Sequence, residues 1–154
     1  MKISEHLDLS ELVNSNTAKR KGIDNTPSEG VIANLKDLAE HIFEPIRNDF
    51  KCPIYISSGY RSIKLNQSIG SKDTSQHCKG YAIDIDMDNS GSGVTNKMVF
   101  DYIKTNLDYD QLIWEFGDNL HPDWVHVSYV KGKNRKQTLR GKRKNGDTIY
   151  DPIH

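Results

Sequence analysis

Cysteine is scarce in this chain of 154 residues: Cys52 and Cys78 are the two present. No disulfide framework can staple such a chain, so its core must come from packing. Free thiols in a reducing compartment are the expectation. Long apolar runs are also missing. No segment approaches the ~18 apolar residues of a membrane span, and the first residues, MKISEHLDLSEL, hold no apolar core of signal-peptide length. The expectation is a protein made in the cytoplasm with no membrane partner, which acts outside a cell only if something else releases it. Net charge is absent too, since 21 Lys and Arg balance 21 Asp and Glu. No global field therefore points to nucleic acid or membrane. Hydrophobic residues make up 35%, low but not in the disordered range, and the length fits one domain.

Locally the charge is uneven. Residues 131–144, KGKNRKQTLRGKRK, form a strongly basic run. It reads as a solvated hairpin or tail, or else as a surface attracted to an anionic polymer such as a bacterial wall or nucleic acid.

The elements follow from periodicity and caps. Ser4 is a candidate N-cap, and Ser10-Glu11-Leu12-Val13 can start a short helix. Residues 22–30 are turn chemistry. Ile32, Leu35, Leu38, Ile42 and Phe43 recur at helical steps, so 29–49 reads as an amphipathic helix that Pro45 should kink or end. Pro53–Ser58 reads as a strand, 61–69 as a short helix, 82–87 as a strand, and 95–107 as a helix capped by Thr95. Residues 111–116 and 124–129 read as two strands of an antiparallel hairpin. Helices first and a mixed sheet afterwards give an α+β fold.

One constellation carries chemistry. His77 lies in a loop, Asp84 in a strand between Ile83 and Ile85, and His126 in a strand between Val125 and Val127. A carboxylate near an apolar core is costly unless paired or metal-bound. Two imidazoles and one carboxylate suit zinc, with a fourth position left for water. Water so bound has its pKa lowered toward ~7. Gly80 allows the tight turn between the first two ligands.

These residues also resemble a known family. Ser75-x-His77-x-x-Gly80-x-Ala82-x-Asp84 resembles the signature of the zinc D-alanyl-D-alanine carboxypeptidase-like peptidases. Trp124-Val125-His126-Val127-Ser128 resembles the second histidine motif of that family, and Ile56–Ser62 with Leu65-Asn66 resembles its SGYRS segment. SEL, TA, IDNTP and EPIR resemble the phage-type branch. The resemblance covers roughly residues 4–130 and implies a hedgehog-like fold, with 1–130 as the peptidase domain and 131–154 as a basic extension of the same domain. It implies one Zn2+ on His77, Asp84 and His126, and hydrolysis of a peptide bond in peptidoglycan stem peptides. Arg61 would hold a substrate carboxylate or carbonyl, which its forked guanidinium suits. Ser75 and Gln76 would line the pocket. The partner implied is a bacterial wall peptide, and a monomer is expected.

The general base has two candidates. In relatives a carboxylate often stands three residues before the second histidine, which here is Asp123. Glu115 is the rival, because in the hairpin it can sit opposite His126 on the same face, whereas Asp123 has the wrong parity unless a bulge turns it. His121 reads as a loop residue able to steady a transition state, and His6, His41 and His154 as incidental. Cys78 adjoins His77, but adjacent residues rarely reach one ion. Two other readings compete with the enzyme: a catalytically weak zinc-containing binding module of the same fold, and a nucleic-acid binder with structural zinc. Retention of Arg61 and of a carboxylate at 115 or 123 argues against the first. An open metal position and the lack of a nucleic-acid motif argue against the second.

Overall fold

Strand alternation sorts the chain into a core face and a site face. In the computed structural model, which describes residues 1–154, six strands form one sheet: β3 (Ile56–Ser58), β4 (Ala82–Ile85), β5 (Gln111–Glu115), β6 (Trp124–Ser128), β7 (Gln137–Lys144) and β8 (Asp147–Pro152). Their spatial order is β3-β4-β6-β5-β7-β8, and every pairing is antiparallel except β5 with β7. A small antiparallel pair, β1 (Lys2–Ser4) and β2 (Leu7–Asp8), precedes it.

On one face Ile83, Ile85, Leu112, Trp114, Val125 and Val127 join a single core with the helices. Burying each aliphatic side chain contributes roughly 1.5–3 kcal/mol. The other face carries Asp84, His126, Ile113 and Glu115, because side chains alternate across a strand. The fold is α+β in one domain, and no helix is long and apolar enough to cross a membrane.

The main helix is α3 (Glu29–Leu38) continued through a π-helical turn (Ala39–Phe43) into α4 (Glu44–Phe50). Leu35, Leu38, Ile42, Phe43 and Ile46 form its buried stripe, and the Ser28 hydroxyl caps it by accepting from the Val31 amide at 3.3 Å. Pro45 does not end this helix. The wider π turn just before it absorbs the hydrogen bond that proline cannot donate. Two short helices come earlier, α1 (Leu9–Val13) and α2 (Asn16–Lys21). Asp8, not Ser4, caps α1, and Glu11 completes a reciprocal capping box. Ser4 ends β1 instead. The strand expected from Pro53 begins only at Ile56. Then α5 (Ile63–Ser68) and α6 (Asn96–Asn106) follow, the latter capped by the Thr95 hydroxyl accepting from Met98 at 3.1 Å. Cys52 and Cys78 are free.

The second half of the basic run is built into the sheet as β7, whose hairpin with β8 extends it by two strands. Its three arginines are engaged. Arg135 binds Asp110, Arg140 lies over the Trp114 ring, and Arg143 lies 4.8 Å from the Phe116 ring centroid.

Gly80 joins a 3-10 turn (Gln76–Lys79) to β4 with φ +76°, and a Cβ there would lie 2.8 Å from the Val31 carbonyl oxygen. Gly80→Ala should therefore cost about 2–4 kcal/mol of stability. Urea unfolding measures this, and an unchanged midpoint would mean that turn and helix are not rigidly packed.

Candidate metal centre

The sheet register itself brings two of the candidate ligands together. Asp84 on β4 is the direct cross-strand partner of His126 on β6, and Asp84 Oδ1 lies 3.1 Å from His126 Nδ1. His77 comes from the 3-10 turn, with its Nε2 3.4 Å from the same Asp84 oxygen. The His77 ring is fixed by the segment that follows β3. Its Nδ1 donates to the Gly59 carbonyl at 2.7 Å, and the Arg61 amide donates back to the His77 carbonyl at 3.2 Å. A carbonyl only accepts, so Nδ1 carries the hydrogen. In the neutral ring Nε2 is then a bare lone pair aimed at a carboxylate oxygen.

Two acceptors facing each other need a cation between them. His77, Asp84 and His126 are each at most 9% exposed, so water does little to relieve the contact. Burial alone would push the Asp84 carboxyl up, but positive charge on the His77 and His126 rings and hydrogen bonds from them, when these rings carry the proton, draw it well below the usual carboxylate range. The three ligand atoms lie within 4.8 Å of one another. Two imidazole nitrogens and a carboxylate oxygen match the donors zinc takes in catalytic sites, and the residues fit that ion. The oriented hydrogen bond on the far nitrogen of His77 is the kind that ligating histidines use.

The centre lies in a cleft of about 680 Å³ that is also lined by Arg61, Ser75, Gln76, Glu115 and Trp124. Ile113, not Glu115, is the direct partner of His126. Glu115 pairs with Trp124 and so stands diagonal to the histidine on the same face. It is buried, and its Oε1 has no hydrogen-bond partner. Burial pushes its carboxyl up to about 7, with His126 opposing the rise and Asp84 adding to it. Asp123 is exposed and lies outside the cleft lining. Its carbonyl, like that of Pro122, accepts from the buried Asn96 amide, which ties this loop to the end of β4.

Arg61 is partly buried. Nε donates to Asn66 at 3.0 Å and Nη1 to Ser58 at 3.0 Å, which leaves the Nη2 edge for a ligand. Asn66 is itself fully buried and donates to the Lys72 carbonyl. The Ser75 hydroxyl accepts from the His77 amide at 3.3 Å. Gln76 donates to Asp110 at 2.7 Å, and Arg135 closes three further bonds onto that carboxylate, two from its guanidinium and one from its amide. His121 sits on an exposed loop away from the cleft lining. His41 stacks on Tyr129, and His6 pairs with Glu44. Cys78 is not among the converging ligand atoms. Sequence reading gave no individual role to Asn66, Asp110, Arg135 or Trp124. Asn66 followed the SGYRS run, Trp124 opened the second histidine motif and Arg135 lay in the basic run, whereas Asp110 carried no local signal.

A model of the Peptidase M15 family matches residues 5–128. The chain belongs to that family, whose members are zinc peptidases. No curated protein matches it.

The raised Glu115 pKa has a sign that can be tested. Between its ordinary value of 4.5 and about 7 the folded state holds a proton that the unfolded state releases. Metal-free protein should thus lose stability as pH rises through that window, on the order of 2 kcal/mol between pH 5 and 8 relative to Glu115→Gln. Urea unfolding of both proteins at the two pH values measures the difference. Equal slopes would mean that Glu115 is solvated.

Proposed function

We propose that this Peptidase M15 chain is a zinc-dependent hydrolase of a peptide bond in peptidoglycan stem peptides, with one Zn2+ held by His77, Asp84 and His126. The observation that carries the reading is the buried Glu115 carboxylate, whose Oε1 has no hydrogen-bond partner, on the same sheet face as Asp84 and His126 and in one cleft with His77. When bound, the ion supplies a water acidic enough to ionise near neutral pH and draws charge from a substrate carbonyl.

The remaining work falls to the protein's own groups. Glu115 takes the proton of the attacking water at Oε1 and delivers it to the leaving amine as the C–N bond breaks. Burial suits it to both acts, since a carboxyl with a pKa near neutrality can accept and return a proton. A bound dication would lower that pKa. Arg61, held flat by Asn66 and Ser58, presents its free edge to a substrate carboxylate or carbonyl oxygen. Ser75 steadies the His77 turn, and Gln76, anchored on Asp110, shapes the adjoining wall. Asp123 has no part in this scheme. The resemblance of SEL, TA, IDNTP and EPIR to the phage-type branch supports a lysin that reaches the wall after release. Carboxypeptidase and endopeptidase action are both compatible with the cleft.

Digestion of purified peptidoglycan by zinc-loaded protein, read by mass spectrometry with and without chelator, tests the reading. Chelator-sensitive fragments are expected, and their masses name the bond. Glu115→Gln should lower kcat by ~10²–10⁴-fold with zinc retained, and Asp123→Asn should stay near wild type. Loss of activity in Asp123→Asn alone would move the base to that loop. No release from several wall types at full zinc loading would favour a binding module.

A further inference from the structure

The family match ends at residue 128, but the cleft does not. Leu139, Thr148 and Tyr150, all on β7 and β8, form part of its wall. Glu115 on β5 stands opposite Gly141 on β7, and Gly141 stands opposite Tyr150 on β8. Cross-strand partners share a face, so the three lie in one row on the cleft side.

Gly141 has no side chain to separate its neighbours. A Cβ placed there would lie 2.7 Å from Glu115 Oε1, 3.1 Å from Tyr150 Cε1 and 3.5 Å from Tyr150 Cδ1. The outer ring atom is the nearer one, so the edge of the ring packs over Gly141 on β7. Gly141 thus lets the Tyr150 ring and the Glu115 carboxylate approach one point above β7 from its two sides. Tyr150 is 48% exposed and lines the cleft. Burial raises the phenol pKa, and the Glu115 and Asp84 carboxylates add to it. The hydroxyl thus keeps its proton and remains a donor. Arg61 follows β3 at one edge of the sheet, Tyr150 lies on β8 at the other, and the metal ligands on β4 and β6 lie between.

We propose that the Tyr150 hydroxyl is a catalytic-site donor, hydrogen-bonding the scissile carbonyl oxygen and stabilising the negative charge that collects there as the carbon becomes tetrahedral. This rests on the peptidase reading. The hydroxyl keeps its own proton throughout. The water oxygen bonds to the carbonyl carbon, the C–N bond breaks, and the water proton passes through Glu115 to the leaving amine. The donor comes from the C-terminal hairpin, so the hairpin is part of the reaction centre and not only a sheet extension. Gly141 is the position that lets it reach.

The test is Tyr150→Phe, which keeps the ring and removes the donor. For the wall peptide the wild type cuts, kcat should fall by roughly 10–100-fold with KM within about twofold. Zinc content should be unchanged. Affinity for a phosphinate dipeptide, whose tetrahedral phosphorus replaces the cleaved amide carbon, should fall by a similar factor. Unchanged kcat, or a rise in KM with kcat intact, would overturn the proposal while leaving the peptidase reading standing. Wild-type protein that neither cuts wall peptide nor binds the phosphinate would sink both.

Discussion

A carboxylate buried between two imidazoles has to be compensated, and the site follows from how that is done. Asp84 lies in close contact with two rings in a region with little water. One ring, His77, has its hydrogen committed to the Gly59 carbonyl. What remains is a set of lone pairs converging on one point, which a proton can relieve in part and a divalent ion can relieve fully. The proposed metal site would in this sense be the way the fold solves its own electrostatic problem. Chemistry then needs only a base and donors placed around that point.

The surrounding structure supplies those placements through backbone register. β4 and β6 set Asp84 against His126, and β5 and β6 put Glu115 on the same face one step along. The 59–61 segment clasps His77 by two backbone-level bonds, and is itself tied to the first helix, where the Tyr60 amide donates to the Leu12 carbonyl at 2.7 Å. On the other flank Arg135, from the loop before β7, braces Asp110, which braces Gln76. Elements far apart in the chain therefore hold the turn that carries the first ligand from both sides.

The convergence of the candidate ligands was legible in the sequence because polar residues stood alone in apolar alternation, at 84 between Ile83 and Ile85 and at 126 between Val125 and Val127. Strand parity likewise placed Glu115 on the His126 face, although its exact partner, Trp124, was two residues away from His126. Local rules failed where a competing local solution existed. Asp8 outcompetes Ser4 as a cap because Glu11 can answer it, and a π turn carries the main helix past Pro45. The cleft's C-terminal wall was not legible. The parallel pairing of β5 with β7 joins residues 111–115 to 137–141 without a tight turn, so nothing in the spacing announces that Gly141 and Tyr150 flank Glu115. The basic run drew attention through its charge, whereas its role in the sheet depends on where its glycine falls.

Zinc-edge X-ray absorption on the loaded protein, combined with metal analysis, tests the central claim most directly. The account predicts one zinc per chain, scattering from two imidazole rings, nitrogen and oxygen neighbours at about 2.0–2.1 Å with no sulfur, and loss of stoichiometric binding in Asp84→Ala. A sulfur neighbour, or zinc held equally well by Asp84→Ala, would contradict it.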